Sequence, residues 1–196
     1  MKQLIIGGVR SGKSRLAEHR ARASARQVIY VATAIDVGDA EMNERIRQHR
    51  ARRPPEWITL EEPFALGSAL LANASPERCL LVECVTLWLT NLLCVKPEQF
   101  DEQRRSLCAA VSELSGTLIL VGNEAGLGVV PRGELSRRFL DASGELHQTL
   151  AALCDRVTLT VAGLPLELKG QPQCARSVPA ADWRLRGQRG DPDEHQ

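Results

Sequence analysis

Short apolar runs at residues 3–6, 28–32, 80–82, 117–121 and 157–161 alternate with longer stretches in which apolar positions return at helical spacing. The runs predict buried strands and the stretches predict helices, over 15–23, 40–53, 66–72, 97–114 and 135–153. Such alternation implies βαβ units and a parallel sheet. Two shorter pieces, 57–60 and 166–168, extend the sheet at its edges, where Pro165 is better tolerated than in the middle. Pro54-Pro55 stops the helix over 40–53. After Lys169-Gly170 the aliphatics thin out in favour of Arg, Pro and Gly, with an acidic end at Asp191-Pro192-Asp193-Glu194. The expectation is one α/β domain over 1–170, with a mostly parallel sheet of about seven strands flanked by helices, and a mobile polar tail over 171–196.

Where the first strand meets the first helix, the chain reads Gly7-Gly8-Val9-Arg10-Ser11-Gly12-Lys13-Ser14, a complete G-x-x-x-x-G-K-S loop in the strand-to-helix context that a phosphate-binding loop requires. The glycines let consecutive N–H groups curl toward phosphate oxygens, and the helix start adds its positive dipole end. In this pattern Lys13 reaches the β- and γ-phosphates and Ser14 holds Mg²⁺ through its hydroxyl. The expected fold class is a P-loop NTPase (RecA-like) with that mostly parallel sheet. Such a site needs a carboxylate at the C-terminal end of a neighbouring strand, and Glu83, closing the run 80–82, is the candidate for the metal side.

Charge adds little to this picture. With 25 basic and 24 acidic residues the formal net charge is +1, so no global field favours nucleic acid or an anionic membrane. No stretch reaches membrane-span length and the first residues lack the pattern of a signal peptide, which reads as a cytoplasmic protein. The six cysteines, Cys79, Cys84, Cys94, Cys108, Cys154 and Cys174, form no C-x-x-C pair and sit mostly among apolar neighbours, as free thiols do in a reducing compartment.

Two further segments carry chemistry-bearing residues. On the helix over 40–53, Arg45, His49 and Arg52 share one face while Met42 and Ile46 share another. The cationic stripe is either a solvated face or a phosphate-handling surface in which the imidazole attacks or protonates a phosphoryl group. The glycine-bearing segment 122–131 follows the strand 117–121, where active-site loops of open sheets lie, although a structural turn has the same composition.

Taken in order, these elements resemble the bifunctional adenosylcobinamide kinase / adenosylcobinamide-phosphate guanylyltransferase family of cobalamin biosynthesis. The resemblance rests on the P-loop, on Tyr30-Val31-Ala32-Thr33-Ala34, and on Glu41-Met42 through Arg45-Ile46, His49 and Arg53-Pro54 to Trp57, Thr59 and Glu61. It continues through Glu83-Cys84-Val85-Thr86-Leu87-Trp88-Leu89-Thr90-Asn91-Leu92-Leu93, then segments 123–131, 138–141 and 163–169. It implies two reactions: phosphorylation of the aminopropanol hydroxyl of adenosylcobinamide by a nucleoside triphosphate, then transfer of GMP from GTP to that phosphate. It also implies that His49 carries the guanylyl group, that Thr33, Arg45, Arg52 and Glu61 join the P-loop and Glu83 in handling ATP and GTP, and that the protein is a homotrimer acting on a corrinoid. Trp57 matches the family without an assignable role. Where the family usually has Asn-Gln in the last long helix, this chain has His147-Gln148. The alternatives are a P-loop kinase of another small molecule without nucleotidyl transfer, a RecA-like or ABC-like motor module, and a regulatory nucleotide-binding subunit. The motor is disfavoured by the neutral charge and the lack of aromatic and basic residues interleaved as in strand-binding proteins.

Overall fold

The computed structural model describes residues 1–35, 38, 44, 47, 50–51 and 53–170. The helix expected over 40–53 falls mostly outside the described residues, and the tail over 171–196 wholly outside them. Seven strands form one sheet: β1 (Lys2–Gly7), β2 (Gln27–Ala32), β3 (Ile58–Glu61), β4 (Arg78–Glu83), β5 (Thr117–Asn123), β6 (Arg156–Val161) and β7 (Leu164–Lys169). Their order is β3-β2-β4-β5-β1-β6-β7, parallel throughout except for the β6–β7 hairpin. Among the described residues the helices are α1 (Lys13–Ala23), α2 (Leu66–Asn73), α3 (Val85–Val95), α4 (Phe100–Glu113) and α5 (Glu134–Leu153).

Alternate residues of the central strands feed two cores, one on each face. Ile5, Tyr30, Leu81, Ile119 and Val121 meet Ala17 and Ala21 of α1, whose small side chains let that helix lie close to the sheet. Leu4, Val31, Val82, Leu118 and Leu120 meet Leu70 of α2, Trp88 and Leu92 of α3, Leu107 of α4 and Leu146 of α5. The indole N–H of Trp88 donates to Phe64 O at 2.7 Å, so the largest fully buried side chain leaves no polar atom unpaired.

The expected strands all appear, with 57–60 and 166–168 at the two edges as β3 and β7, and Pro165 lies in edge strand β7. Pro97 does not open the long helix directly: a 3-10 turn over Pro97–Gln99 precedes α4. The sequence pattern misses α3 altogether. Its residues Val85, Thr86, Trp88, Leu89, Asn91, Leu92 and Leu93 are buried on nearly every side, so no polar stripe marks a period. It is started by Cys84, whose Sγ accepts from the Leu87 N–H at 3.4 Å.

Candidate functional site

The glycine loop lies at the C-terminal edge of the sheet, between β1 and α1. Gly7 ends β1 in a place no side chain can share, because a Cβ there would come within 2.3 Å of Thr160 Oγ1 and 2.6 Å of Thr160 O. Arg10 (φ 57°) and Gly12 (φ 96°) adopt left-handed conformations that turn the backbone into the helix, and a Cβ on Gly12 would meet Gly163 Cα at 3.1 Å. Ser11 fastens the loop to the β6–β7 hairpin: its hydroxyl shares a 2.7 Å hydrogen bond with Thr160 Oγ1, and its carbonyl accepts from Gly163 N–H at 2.8 Å. Gly8 and Val9 lie at the open side of the loop, Val9 strongly exposed. Lys13 Nζ donates to Gly8 O at 3.1 Å across the loop. Burial lowers the Lys13 pKa, opposed by the Cys84 thiol and the Glu83 carboxylate.

Glu83 ends β4, but β4 is not the neighbour of β1 that the sequence reading required: β5 lies between them. The carboxylate reaches the loop because α1 packs across the sheet over β5 and β4, which brings Ser14, in its first turn, over the end of β4. Ser14 Oγ donates to Glu83 Oε1, and Tyr30 OH donates to Glu83 Oε2 at 3.0 Å. Burial, with the negative charge of Glu83 second, pushes the Tyr30 phenol up, so it remains a donor across the assayable range. Ser14 and Glu83 offer hard oxygen donors side by side, which suits Mg²⁺, an ion that keeps several waters and takes few protein ligands.

Behind this pair, Thr33 is fully buried and its hydroxyl is engaged in the fold: it donates to Cys84 O at 2.8 Å and accepts from Cys84 N–H at 2.9 Å. The Asn91 amide, from the buried face of α3, donates to Thr33 O at 2.7 Å and Pro63 O at 3.1 Å. Thr86 Oγ1 accepts from Asn123 N–H at 2.8 Å, which ties the start of α3 to the end of β5. These bonds lock the ends of β2, β4 and β5 around the carboxylate.

On the β2–β3 side, Glu61 forms an exposed ion pair with Arg50. The Arg53 guanidinium stacks 3.8 Å from the Tyr30 ring centroid, so it is brought to the partner of Glu83. Trp57 is buried beside α1, with Arg22 over its ring. Arg50, Arg53, Pro54, Trp57, Thr59 and Glu61 line a shallow polar groove there. His49, Arg45 and Arg52 lie outside the described residues.

On the other flank, Glu124 follows β5 and its N–H donates to Gly7 O at 3.0 Å. Its Oε1 accepts from Gly126 N–H at 2.7 Å, and its Oε2 lies 3.9 Å from Nδ1 of His147 on α5. Burial lowers the His147 pKa, partly opposed by Glu124, which keeps the imidazole neutral at pH 7. Its Nε2 is buried without a hydrogen-bond partner, against Gly122. The sequence reading missed the roles of Tyr30, Asn91 and this pair. A polar group in a mostly apolar run, the phenol of Tyr30 in β2 or the amide of Asn91 in α3, is the signal that was available.

Residues 3–168 match the family described as cobinamide kinase / cobinamide phosphate guanyltransferase. The chain is 59% identical over 173 residues to the bifunctional adenosylcobalamin biosynthesis protein CobP of Pseudomonas aeruginosa, covering 88% of this chain and 99% of that one. It is 38% identical over 183 residues to the bifunctional adenosylcobalamin biosynthesis protein CobU of Salmonella typhimurium, covering 86% and 100%. Solved structures share the fold at much lower identity. A Pyrococcus horikoshii protein superimposes with a TM-score of 0.52 at 9% identity, over 87% of both chains. An ATPase from a bacterial type III secretion system does so with a TM-score of 0.50 at 13% identity, over 85% of this chain and 56% of the other. By sequence over nearly all of its described length, the chain is a member of the cobinamide kinase / cobinamide phosphate guanyltransferase family.

Proposed function

We propose that the chain carries out both reactions of its family in the nucleotide-loop stage of adenosylcobalamin biosynthesis. The observation that carries this reading is the junction of the glycine loop with the Ser14–Glu83–Tyr30 chain of hydrogen bonds, a phosphate cradle beside a fixed carboxylate. In the kinase reaction, the aminopropanol hydroxyl of adenosylcobinamide attacks the γ-phosphorus of ATP or GTP, the bond to the bridging oxygen breaks, and the nucleoside diphosphate leaves. Loop N–H groups and Lys13 offset charge on the phosphoryl oxygens. Ser14 and Glu83 hold Mg²⁺, which when bound neutralises phosphate charge.

In the second reaction, neutral His49 attacks the α-phosphorus of GTP and pyrophosphate leaves. The cobinamide phosphate oxygen then attacks the same phosphorus, the P–N bond breaks, and adenosylcobinamide-GDP forms. Arg45 and Arg52 offset phosphate charge, and Thr33 and Glu61 support the nucleotide from β2 and β3. Thr33 acts through the backbone it braces, since its hydroxyl is engaged by Cys84. The imidazole must be unprotonated to attack, so guanylylation weakens below about pH 6.5. A homotrimer is supported by exposed aliphatics on the β6–β7 hairpin. A reducing cytoplasmic setting is supported by buried free thiols at Cys79, Cys84 and Cys154.

The test is mass spectrometry after incubation with GTP and Mg²⁺. A GMP-sized adduct that maps to His49 and is missing in His49→Ala is the expected result. An adduct that survives the substitution, or none in wild type, would leave a P-loop kinase of another small molecule.

A further inference from the structure

The acceptor in this reading is a broad macrocycle with methyl-bearing faces and an amide-bearing rim, and only the alcohol at the end of one side chain must reach the transferred phosphoryl group. The ring is too wide to enter the loop that cradles the phosphates. It needs an apolar surface beside that loop, with open backbone polar groups for its amides.

The β5–α5 connection, residues 124–133, is placed for this. Gly7 and Asn123 are paired in the sheet, and the Glu124 N–H donates to Gly7 O at 3.0 Å, so this connection and the glycine loop leave the sheet side by side. Leu127, Val129 and Val130 are 82%, 95% and 72% exposed, and Val9 on the glycine loop is 74% exposed. Local bonds stand at its two ends, Gly126 N–H to Glu124 Oε1 at 2.7 Å and Arg137 Nη1 to Pro131 O at 3.3 Å. The aliphatic side chains between them face outward and belong to neither core cluster. Gly128 has no atom within 4 Å of where a Cβ would stand, so the space beside it is open.

The other flanks of the loop are differently made. The β2–β3 side is the polar groove with Arg50, Arg53 and Glu61, the β6–β7 turn is packed onto Ser11 and Gly12, and the ends of β2 and β4 are filled by Thr33, Cys84 and Asn91. Among the described residues, the β6–β7 turn also carries exposed aliphatics at this mouth, Val161 and Leu164, but they flank a turn packed onto the loop, whereas Leu127, Val129 and Val130 make the larger aliphatic group, on the β5 side.

We infer that Leu127, Val129 and Val130, with Val9, form the platform on which the corrin ring of the acceptor lies while its alcohol reaches into the phosphate loop. The inference rests on the proposed kinase reaction. The competing occupant is a second copy of this chain.

The experiment is equilibrium dialysis of cobinamide, followed by its visible absorbance, against the full-length protein with a non-hydrolysable ATP analogue. Wild type is compared with Val129→Ser and with Leu127→Ser/Val129→Ser/Val130→Ser, and each is sized by sedimentation. Val129 is so exposed that its substitution leaves folding intact. The platform predicts Kd raised about threefold in the single variant and about tenfold or more in the triple, with the size unchanged. Labelling by GTP without corrinoid stays at the wild-type level. Equal Kd values in all three proteins would overturn the platform, and so would a change in assembly size, which would assign the surface to a second copy. Failure of the reading beneath it is seen separately, as wild type that takes no GMP label from GTP.

Discussion

Glu83 has both carboxylate oxygens engaged, by Ser14 at one and by Tyr30 at the other, and this pair of bonds fixes where the carboxylate points. Removing the charge removes the carboxylate proposed to hold Mg²⁺, whereas removing only the phenol leaves that carboxylate in place and loosens it. Glu83→Gln is therefore expected to lower kcat for cobinamide phosphorylation by about 100-fold or more, on the scale of losing one strong transition-state interaction. Tyr30→Phe forfeits a hydrogen bond to a charged group, about 1.5 kcal/mol or roughly tenfold. Steady-state kinetics over a Mg²⁺ series checks both, and a Tyr30→Phe protein with wild-type kinetics would remove the tyrosine from the site. Ser14 and Glu83 were legible in the sequence because the glycine loop and a strand-ending carboxylate are local patterns. Tyr30 was not, since its phenol reaches Glu83 only when β2 and β4 pair. His147 shows the same limit, its environment being set by α5 packing against the end of β5. Its pKa is lowered, so the unfolded chain binds the extra proton first. Stability is then fully present above about pH 6.5 and declines as pH falls from there toward the folded value, with a slope of at most about 1.4 kcal/mol per pH unit. Calorimetric Tm values between pH 5 and pH 8 should fall with acidification in wild type, and the fall should flatten in His147→Asn.

The elements around the phosphate loop hold it from two sides, α1 growing out of it and the β6–β7 hairpin fastened to it through Ser11. The hairpin is itself clamped to α1 by Glu167. Its carboxylate accepts from Arg20 Nη2 at 2.7 Å, from Arg156 Nε and Nη2 at 2.8 Å each, and from Thr158 Oγ1 at 2.9 Å. Burial acts to raise the Glu167 pKa, but the hydrogen bonds from Arg156 and Thr158 and the charges of Arg20 and Arg156 outweigh it and hold the group below its ordinary range. Glu167→Gln leaves two largely buried guanidinium groups facing an amide and is expected to cost about 3 kcal/mol. For a depressed carboxyl the contribution is present above the unfolded pKa of about 4.3 and is lost as pH falls through the folded value. Urea titrations should show the variant well below wild type at pH 7 and the gap closing in acid. A gap that persists unchanged in acid would mean the loss comes from packing. The central strands were readable because burial on both faces makes them continuous apolar runs. Helix α3 was unreadable for the same reason, since a segment buried all round shows no helical period, and the order of the strands was unreadable because pairing is non-local. The clamp needs α1, β6 and β7 assembled before its charges meet.

At the scale of the whole molecule the sheet has two unlike edges. The β3 edge borders the polar groove, while the β7 edge presents aliphatics: Val161, Leu164, Leu166 and Leu168 are between 55% and 71% exposed. Across the antiparallel pair Leu164 stands opposite Val161 and Leu166 opposite Leu159, so they share one face, and Leu168 is the extra residue of the irregularity opposite Val157 and Thr158. Glu167, on the other face, is turned inward to α1. Pro165 and the irregularity opposite Val157 and Thr158 deter strand addition at this edge, so what it offers another chain is its aliphatic face, unless something covers it. The proposed trimer supplies a cover. Leu166→Glu places a charge at the centre of the face and should shift the mass from three chains toward one, measured by light scattering over a concentration series, with the circular dichroism spectrum unchanged. Leu166 lies further along the hairpin than the turn that is fastened to the glycine loop, so phosphorylation should persist in the dissociated protein if each subunit builds its own phosphate site. Guanylyl transfer should be lost only if a neighbouring subunit completes the site of His49. Measuring both activities on that one variant therefore tells a merely adhesive interface from one that helps to form a site.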